Sequence, residues 1–193
     1  MSPSPPLRHE YVGQITGADT LQLGPEGKAL EVITDLRRRA EDLREQALDE
    51  ISRGWAEMYL GLIADNLFAE RDAAPDHYRP ALRAGEAGDD LLAREALRHL
   101  GDHDHDHGDH ERARERWERA TALGARAGAV PGTLSQQLLL AVLARGTGDE
   151  AGAAALAQEI VRWAAALGAV HLEAQATAFL AGADPTEPPE SHS

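Results

Sequence analysis

The chain has 193 residues, of which 42 % are hydrophobic and 4 % aromatic, and it contains no cysteine. This length suffices for a buried core without cross-links, and the lack of cysteine excludes disulfides, thiolate metal sites and cysteine nucleophiles. The net charge of −14 argues against nucleic acid and anionic membranes as partners, because such a field repels phosphate groups.

The two ends of the sequence lack helical periodicity. Residues 1–25 are rich in proline, glycine, serine and threonine and predict an extended or disordered arm. Residues 182–193 include three prolines and predict a disordered tail. Between these ends we expect a single helical domain over 26–181. The sequence shows neither the pattern of a signal peptide nor an apolar run that could span a bilayer, so we expect a cytoplasmic protein.

The first two predicted helices follow from apolar residues that recur at intervals of three and four. One amphipathic helix is predicted over 27–52, and its apolar stripe leaves open a homodimer formed through this helix. Ser52 and Gly54 predict the break that ends it. A second helix is predicted over 54–70, followed by a turn.

Glycines recur at regular intervals in the rest of the chain. Gly88, Gly128 and Gly168 are 40 residues apart, and Gly108 and Gly148 fall midway between them. Each follows a helical pattern, as expected for a C-terminal helix cap in the left-handed conformation. Evenly spaced helix ends predict an all-α protein, a solenoid of antiparallel helix pairs with about seven or eight helices. The last helix is predicted over 169–181.

The clearest repeat unit is "ALRHLGDHDHDHGDHERARERWERATALGARAG", residues 96–128. It combines a Leu-Gly pair in its first helix, a Gly-Asp turn, and an Ala, an aromatic residue and an Ala spaced by four and three in its second helix. These residues are Leu100-Gly101, Gly108-Asp109, Ala113, Trp117 and Ala120. In this arrangement the unit resembles a tetratricopeptide repeat.

Two looser units flank it, one carrying Gly148-Asp149 at its turn and the other carrying Leu60-Gly61 and Tyr78. The resemblance therefore covers about residues 54–168. It implies a right-handed α-solenoid of the tetratricopeptide type, similar to bacterial regulator-associated proteins, that binds a protein or peptide in its concave groove.

Function is expected in that groove, which the first helix of each pair would line. Polar residues on these helices would form hydrogen bonds and ion pairs with a peptide or partner helix. The candidate partner-binding residues are Glu57, Asn66, Arg94, Arg98 and Gln137. No nucleophile elbow, phosphate-binding loop or dinucleotide fingerprint occurs, so we expect a non-enzymatic scaffold without a cofactor.

The stretch "GDHDHDHGDH", Gly101 to His110, supports an alternative function. If the helix persists, histidines four residues apart share one face with a carboxylate beside them, which is a ligand set suited to Zn or Ni. The candidate metal ligands are His99, His103, Asp106, His107 and His110. A proton switch and a solvated polar helix end are the other interpretations of this stretch.

Overall fold

The computed structural model describes residues 26–68 and 70–183, and in this part of the chain every regular element is a helix. The predicted arm over 1–25 and most of the predicted tail over 182–193 lie outside it. The α-helices are α1 (Glu26–Gln46), α2 (Glu50–Asn66), α3 (Ala74–Glu86), α4 (Asp90–Asp106), α5 (His110–Arg126), α6 (Val130–Gly146), α7 (Glu150–Leu167) and α8 (Val170–Leu180). A short 3-10 helix, Arg71–Ala73, precedes α3. The all-α prediction is confirmed, and consecutive helices pack against each other as in a helical solenoid.

The packing separates two compact units, residues 26–96 and 97–183 of the described chain, whereas the sequence predicts one helical domain. The boundary falls inside α4 because the two halves of this helix have different neighbours. Near its start, the backbone of Ala93 lies so close to Gly85 of α3 that a Cβ on that glycine would come within 2.3 Å of it. Further on, Gly101 lies against Trp117 of α5.

The first unit departs from the predicted helix bounds. α1 ends at Gln46 rather than at residue 52, because Asp49 caps a new helix. One carboxylate oxygen of Asp49 accepts a hydrogen bond from the backbone N–H of Ser52 at 2.7 Å, and the other accepts one from its hydroxyl at 2.8 Å. These bonds, led by the one from the backbone, hold the pKa of the Asp49 carboxyl below its usual range. Ser52 thus lies in the first turn of α2 instead of ending a helix.

Gly54, the other predicted helix breaker, lies inside α2 and is buried. A Cβ at this position would come within 2.5 Å of the Cβ of Ala84 on α3. The glycine therefore serves close helix packing, and the predicted break at this residue is wrong. α2 also ends at Asn66 rather than at residue 70.

The second unit has the predicted helix ends. Gly108, Gly128, Gly148 and Gly168 all have left-handed φ values, between 69° and 91°, and each follows a helix. Gly88 does not adopt this conformation, so the prediction fails at one of the five glycines.

The core of the second unit joins α6, α7 and α8 through small and aliphatic side chains together with one phenylalanine. Its fully buried members are Ala141, Ala153, Ala157, Ile160, Ala164, Ala176 and Phe179.

None of the described helices is both long enough and apolar enough to cross a membrane.

The contact between Gly101 and Trp117 fixes the packing of α4 on α5. A Cβ at Gly101 would lie 2.5 Å from the indole Nε1 and 2.6 Å from Cδ1, far inside the distance that real Cβ atoms keep. Trp117 is only 2 % exposed and fills the space against this turn of α4. Since the core around it is close-packed, the indole has little room to move.

We predict that Gly101→Ala lowers the free energy of unfolding by about 1–3 kcal/mol, because the added methyl group overpacks this contact. Gly146→Ala is the matched control, since it is also a helical glycine but has no atom within 4 Å of an added Cβ. It should leave the free energy of unfolding unchanged or raise it by up to about 1 kcal/mol. Urea denaturation of both variants measures the difference, and equal midpoints would contradict the close approach.

Candidate functional site

The His/Asp stretch occupies the end of α4, the following turn and the start of α5. α4 ends at Asp106 and α5 begins at His110, with the left-handed Gly108 between them. Asp109 caps α5, because its Oδ1 accepts a hydrogen bond from the backbone N–H of Arg112 at 3.3 Å. The turn predicted at Gly108 is confirmed, and Asp109 has a structural role within it.

Asp102 is buried and positions Trp117. The indole Nε1–H of Trp117 is shared between Asp102 Oδ1 at 3.1 Å and the backbone carbonyl of Arg98 at 3.2 Å. The second carboxylate oxygen of Asp102 lies 3.8 Å from His99 Nδ1 and 4.0 Å from the Arg98 guanidinium. A buried indole N–H needs such an acceptor, so this carboxylate belongs to the core of the unit.

Asp104 is also buried and joins α4 to α5 by ion pairs. Its carboxylate lies 2.7 Å from the guanidinium of Arg116 and 3.3 Å from that of Arg112. Arg116 in addition donates a hydrogen bond to the backbone carbonyl of Leu100 at 2.8 Å. The Arg116 side chain therefore binds α4 at two points, one of which is this carboxylate.

The three histidines predicted to share a face of α4 lie in two kinds of environment. His99 and His103 are buried, each about 5 % exposed, whereas His107 is exposed. His107 Nδ1 lies 2.7 Å from the backbone carbonyl of His103, and since a carbonyl only accepts, this nitrogen donates. His107 thus caps the last turn of its own helix.

His105, which the sequence-based ligand set leaves out, stacks with two other rings. Its ring centroid lies 5.1 Å from that of His110 and 5.5 Å from that of Trp117, with the planes tilted by 54° and 33°. Its Nδ1 is 3.7 Å from the carboxylate of Asp106. An imidazole pair and one carboxylate therefore meet at the point where α4 ends and α5 begins.

The five candidate metal ligands are distributed over these environments. Two are buried in α4, one caps the helix end, and Asp106 and His110 lie beside His105. Among the residues that the structure describes, no three histidine, aspartate or glutamate side chains are arranged so that they could hold a metal ion.

Three of the candidate partner-binding residues lie in the first unit, where each contacts the protein itself. The carboxylate of Glu57 lies 2.7 Å from His77 Nδ1. Asn66 donates a hydrogen bond to a backbone carbonyl one turn earlier at 3.0 Å. Arg94 is buried and pairs with Glu95.

The other two lie in the second unit. Arg98 is buried beside Asp102, at 9 % exposure, and Gln137 is half-buried on α6. Four of the five predicted groove residues thus have partners within the chain, and the structure offers a different candidate site.

That site is a cleft of about 400 Å³ in the second unit, which we call the helix-end cleft. It lies where the C-terminal ends of α4, α6 and α8 meet the start of α5. Polar and apolar side chains line it together. They are His105, Asp106, His110, Arg145, Thr147, Val142, Leu143 and Phe179, with Gly146 and Gly182.

Arg145 and Thr147 are already bound within this cleft. The Arg145 guanidinium donates a hydrogen bond to the carbonyl of Phe179 at 2.7 Å and lies over the Phe179 ring, with Cζ 3.4 Å from the centroid. Its Nε is 3.7 Å from the carboxylate of Glu150. The Thr147 hydroxyl donates to carbonyls in the last turn of α6 at 3.0 and 3.1 Å. Both side chains satisfy carbonyl groups at helix C-termini.

Of the residues that line this cleft, only Asp106 and His110 are among the candidates predicted from the sequence, although the sequence contains one signal for the cleft. Helix ends 40 residues apart should lie on the same side of a stack of helix pairs, and α4 and α6 end at Asp106 and Gly146. No protein-family model, no curated protein and no solved structure matches the chain. The chemistry of the cleft is therefore inferred from its own residues.

We predict that Asp104→Asn lowers the free energy of unfolding by about 1–3 kcal/mol, because Arg116 and Arg112 lose their buried carboxylate partner. Glu118→Gln is the control, since it removes an exposed carboxylate from the same pair of helices and should change the free energy of unfolding by less than about 0.5 kcal/mol. Chemical denaturation measures both. If Asp104→Asn is as stable as the control, the carboxylate has no structural role.

Proposed function

We propose that this chain is a non-enzymatic, cytoplasmic scaffold of the tetratricopeptide type, which binds a segment of a partner protein in the helix-end cleft. The observation that carries this proposal is the cleft itself, in which side chains from four helices meet. Its volume of about 400 Å³ lies in the range of about 300–1,000 Å³ typical of ligand-binding sites. Its lining offers apolar surface for a partner side chain and polar groups for orientation.

The state of the polar groups supports binding rather than catalysis. Arg145 and Thr147 donate to helix-end carbonyls, so neither is held ready for a reacting group. Since the cleft lies at helix ends, its lining can vary without disturbing the packing glycines and alanines of the repeat. A rigid scaffold with variable ends suits recognition of a partner.

The repeat architecture supports the scaffold interpretation by analogy. Gly61 lies against Tyr78 in the first unit as Gly101 lies against Trp117 in the second, and both pairs come from the Leu-Gly and aromatic positions of the tetratricopeptide pattern. These residues are packing residues, and they leave the choice of partner to other positions. The negative net charge supports a protein partner over nucleic acid.

We predict that Gly146→Phe weakens partner binding by occupying part of the helix-end cleft. Gly146 lines the cleft, and a Cβ added to it would have no atom within 4 Å, so a substituted side chain begins in open space. The measurement uses a phage-displayed library of random 12-residue peptides selected on the full chain. Synthetic peptides from this selection should bind the Gly146→Phe variant at least about tenfold more weakly.

Ala166→Phe is the matched control, because it adds the same ring at an exposed position of α7 that does not line the cleft. Peptides should bind this variant as they bind the unmodified chain. Selected peptides that bind Gly146→Phe with undiminished affinity would place recognition elsewhere on the protein, and a selection without any binder would contradict the proposal.

A further inference from the structure

We infer that two copies of this chain form a dimer through the outer face of α7 and α8, which we call the end face. Six exposed apolar residues make up this face, and three of them are large. They are Trp163, Leu167, Val170, Ala174, Ala178 and Ala181.

The three large side chains of the end face lie around the turn between α7 and α8. Trp163 and Leu167 are one helical turn apart on α7 and therefore share a face of it, and Val170 is the first residue of α8. Their exposed fractions are 56 %, 49 % and 74 %. Contiguous exposed apolar side chains of this size mark sites of interaction.

The repeat identifies the α8 part of the end face as a surface for helix packing. α6 and α8 begin 40 residues apart, at Val130 and Val170, and each follows a left-handed glycine and an alanine with closely similar backbone angles. Positions on the two helices therefore correspond at an offset of 40. On α6, Leu134, Leu138 and Ala141 are at most 6 % exposed and belong to the core formed with α7 and α8.

The corresponding residues of α8 are Ala174, Ala178 and Ala181, and all three are exposed. A surface that packs against the following helices in one repeat is therefore open to solvent in the next. Its small side chains let another helix approach closely, and the larger side chains beside it add apolar contact area. The occupant that fits this surface is a helix with an apolar side.

The residues that follow α8 do not provide such a helix. Residues 184–193 contain three prolines and three acidic residues, and none of them is hydrophobic. Prolines interrupt helices, and burying an acidic side chain against an apolar surface is unfavourable. A second copy of the chain, in contrast, carries a matching surface, because its own α8 has the same apolar face. Two copies related by a two-fold axis would each cover the other's end face.

Charge also favours the end face for self-association. Two copies with a net charge of −14 repel each other, but the six residues of this face carry no charge. The neighbouring Glu159 and Arg162 are paired with each other. The one carboxylate of α8, Glu173, is half-buried at the position that corresponds to the buried Thr133 of α6. Two end faces can therefore meet without bringing unmatched carboxylates together.

The dimer is expected to be weak and to tighten with salt. Three large side chains and a helix of 11 residues give a small interface, and such interfaces bind weakly. We expect a Kd between about 1 and 100 µM, with Trp163 as the main anchor because tryptophan dominates many interfaces. Salt screens the repulsion between the acidic copies, so the Kd should fall as salt is added.

The test is sedimentation equilibrium of the full chain over a concentration range that brackets the expected Kd, at low and at high salt. The unmodified chain should show a reversible monomer–dimer equilibrium. Trp163→Glu and Ala174→Glu should each raise the Kd at least about tenfold, because each places a charge in the apolar contact. Denaturation curves of each variant establish that it is folded.

Leu43→Glu is the matched control, because it places the same charge at an apolar residue of α1 that is 57 % exposed. It should change the Kd by no more than about twofold. The same variant tests the homodimer through α1 that the apolar stripe of this helix leaves open.

Cross-linking locates the contact. The chain has no cysteine, so a single introduced cysteine is the sole target of a short bis-maleimide reagent. Ala174→Cys, in the middle of the exposed side of α8, should give a covalent dimer. Ala122→Cys, at an exposed position of α5, should not.

Three outcomes would overturn the end-face dimer. The first is a chain that remains a monomer at all concentrations; weak acrylamide quenching of Trp163 in that monomer, measured against Trp163→Phe, would assign the face to another segment of the same chain. The second is a dimer that Trp163→Glu and Ala174→Glu leave unchanged. The third is a dimer that Leu43→Glu weakens as much as they do.

Discussion

The close approach of a glycine on one helix to an aromatic ring on the next is the constraint on which both units depend. In the first unit a Cβ at Gly61 would lie 2.4 Å from the Tyr78 ring, and in the second a Cβ at Gly101 would lie 2.5 Å from the indole of Trp117. In each case an aspartate of the glycine-bearing helix accepts a hydrogen bond from the polar edge of the ring. Tyr78 donates to Asp65 at 3.2 Å, as Trp117 does to Asp102 at 3.1 Å. The ring fills the gap that the glycine leaves, and the carboxylate fixes its orientation.

Contacts within and between α4 and α5 account for most of the His/Asp stretch. The Asp102 carboxylate accepts a hydrogen bond from the indole of Trp117. The Asp104 carboxylate forms ion pairs with two arginines of α5, and the Asp109 carboxylate caps the first turn of α5. His107 satisfies a carbonyl at the end of α4. A stretch that resembles a metal-binding sequence is therefore mainly a set of buried and capping contacts, and only His105, Asp106 and His110 are left at the cleft.

The sequence allowed the fold to be predicted better than the site, for a physical reason. Gly108, Gly128, Gly148 and Gly168 end helices in the left-handed conformation, and their even spacing is visible without coordinates. Glycine also has a second use, in close helix packing, and nothing local to the sequence tells the two apart. Gly54 therefore predicts the end of a helix, whereas in the structure it lies inside α2 and allows α2 to pack closely against α3. Burial is equally hidden, because Asp102 and Asp104 look solvated until the indole of Trp117 and the side chains of Arg112 and Arg116, at least eight residues along the chain, are placed beside them.

The helix ends show how a repeat can form a cleft without changing its core. Arg145 donates a hydrogen bond to a carbonyl at the end of α8, Thr147 to a carbonyl of α6 and His107 to a carbonyl of α4. Each of these helix C-termini therefore has a side-chain donor that matches its negative potential. Asp106 does the opposite. A carboxylate at a helix C-terminus opposes the dipole by roughly 0.3–1 kcal/mol. Residues that weaken a fold locally tend to occur at functional positions. Asp106 is a residue of this kind, since it lies at the C-terminus of α4 and lines the cleft.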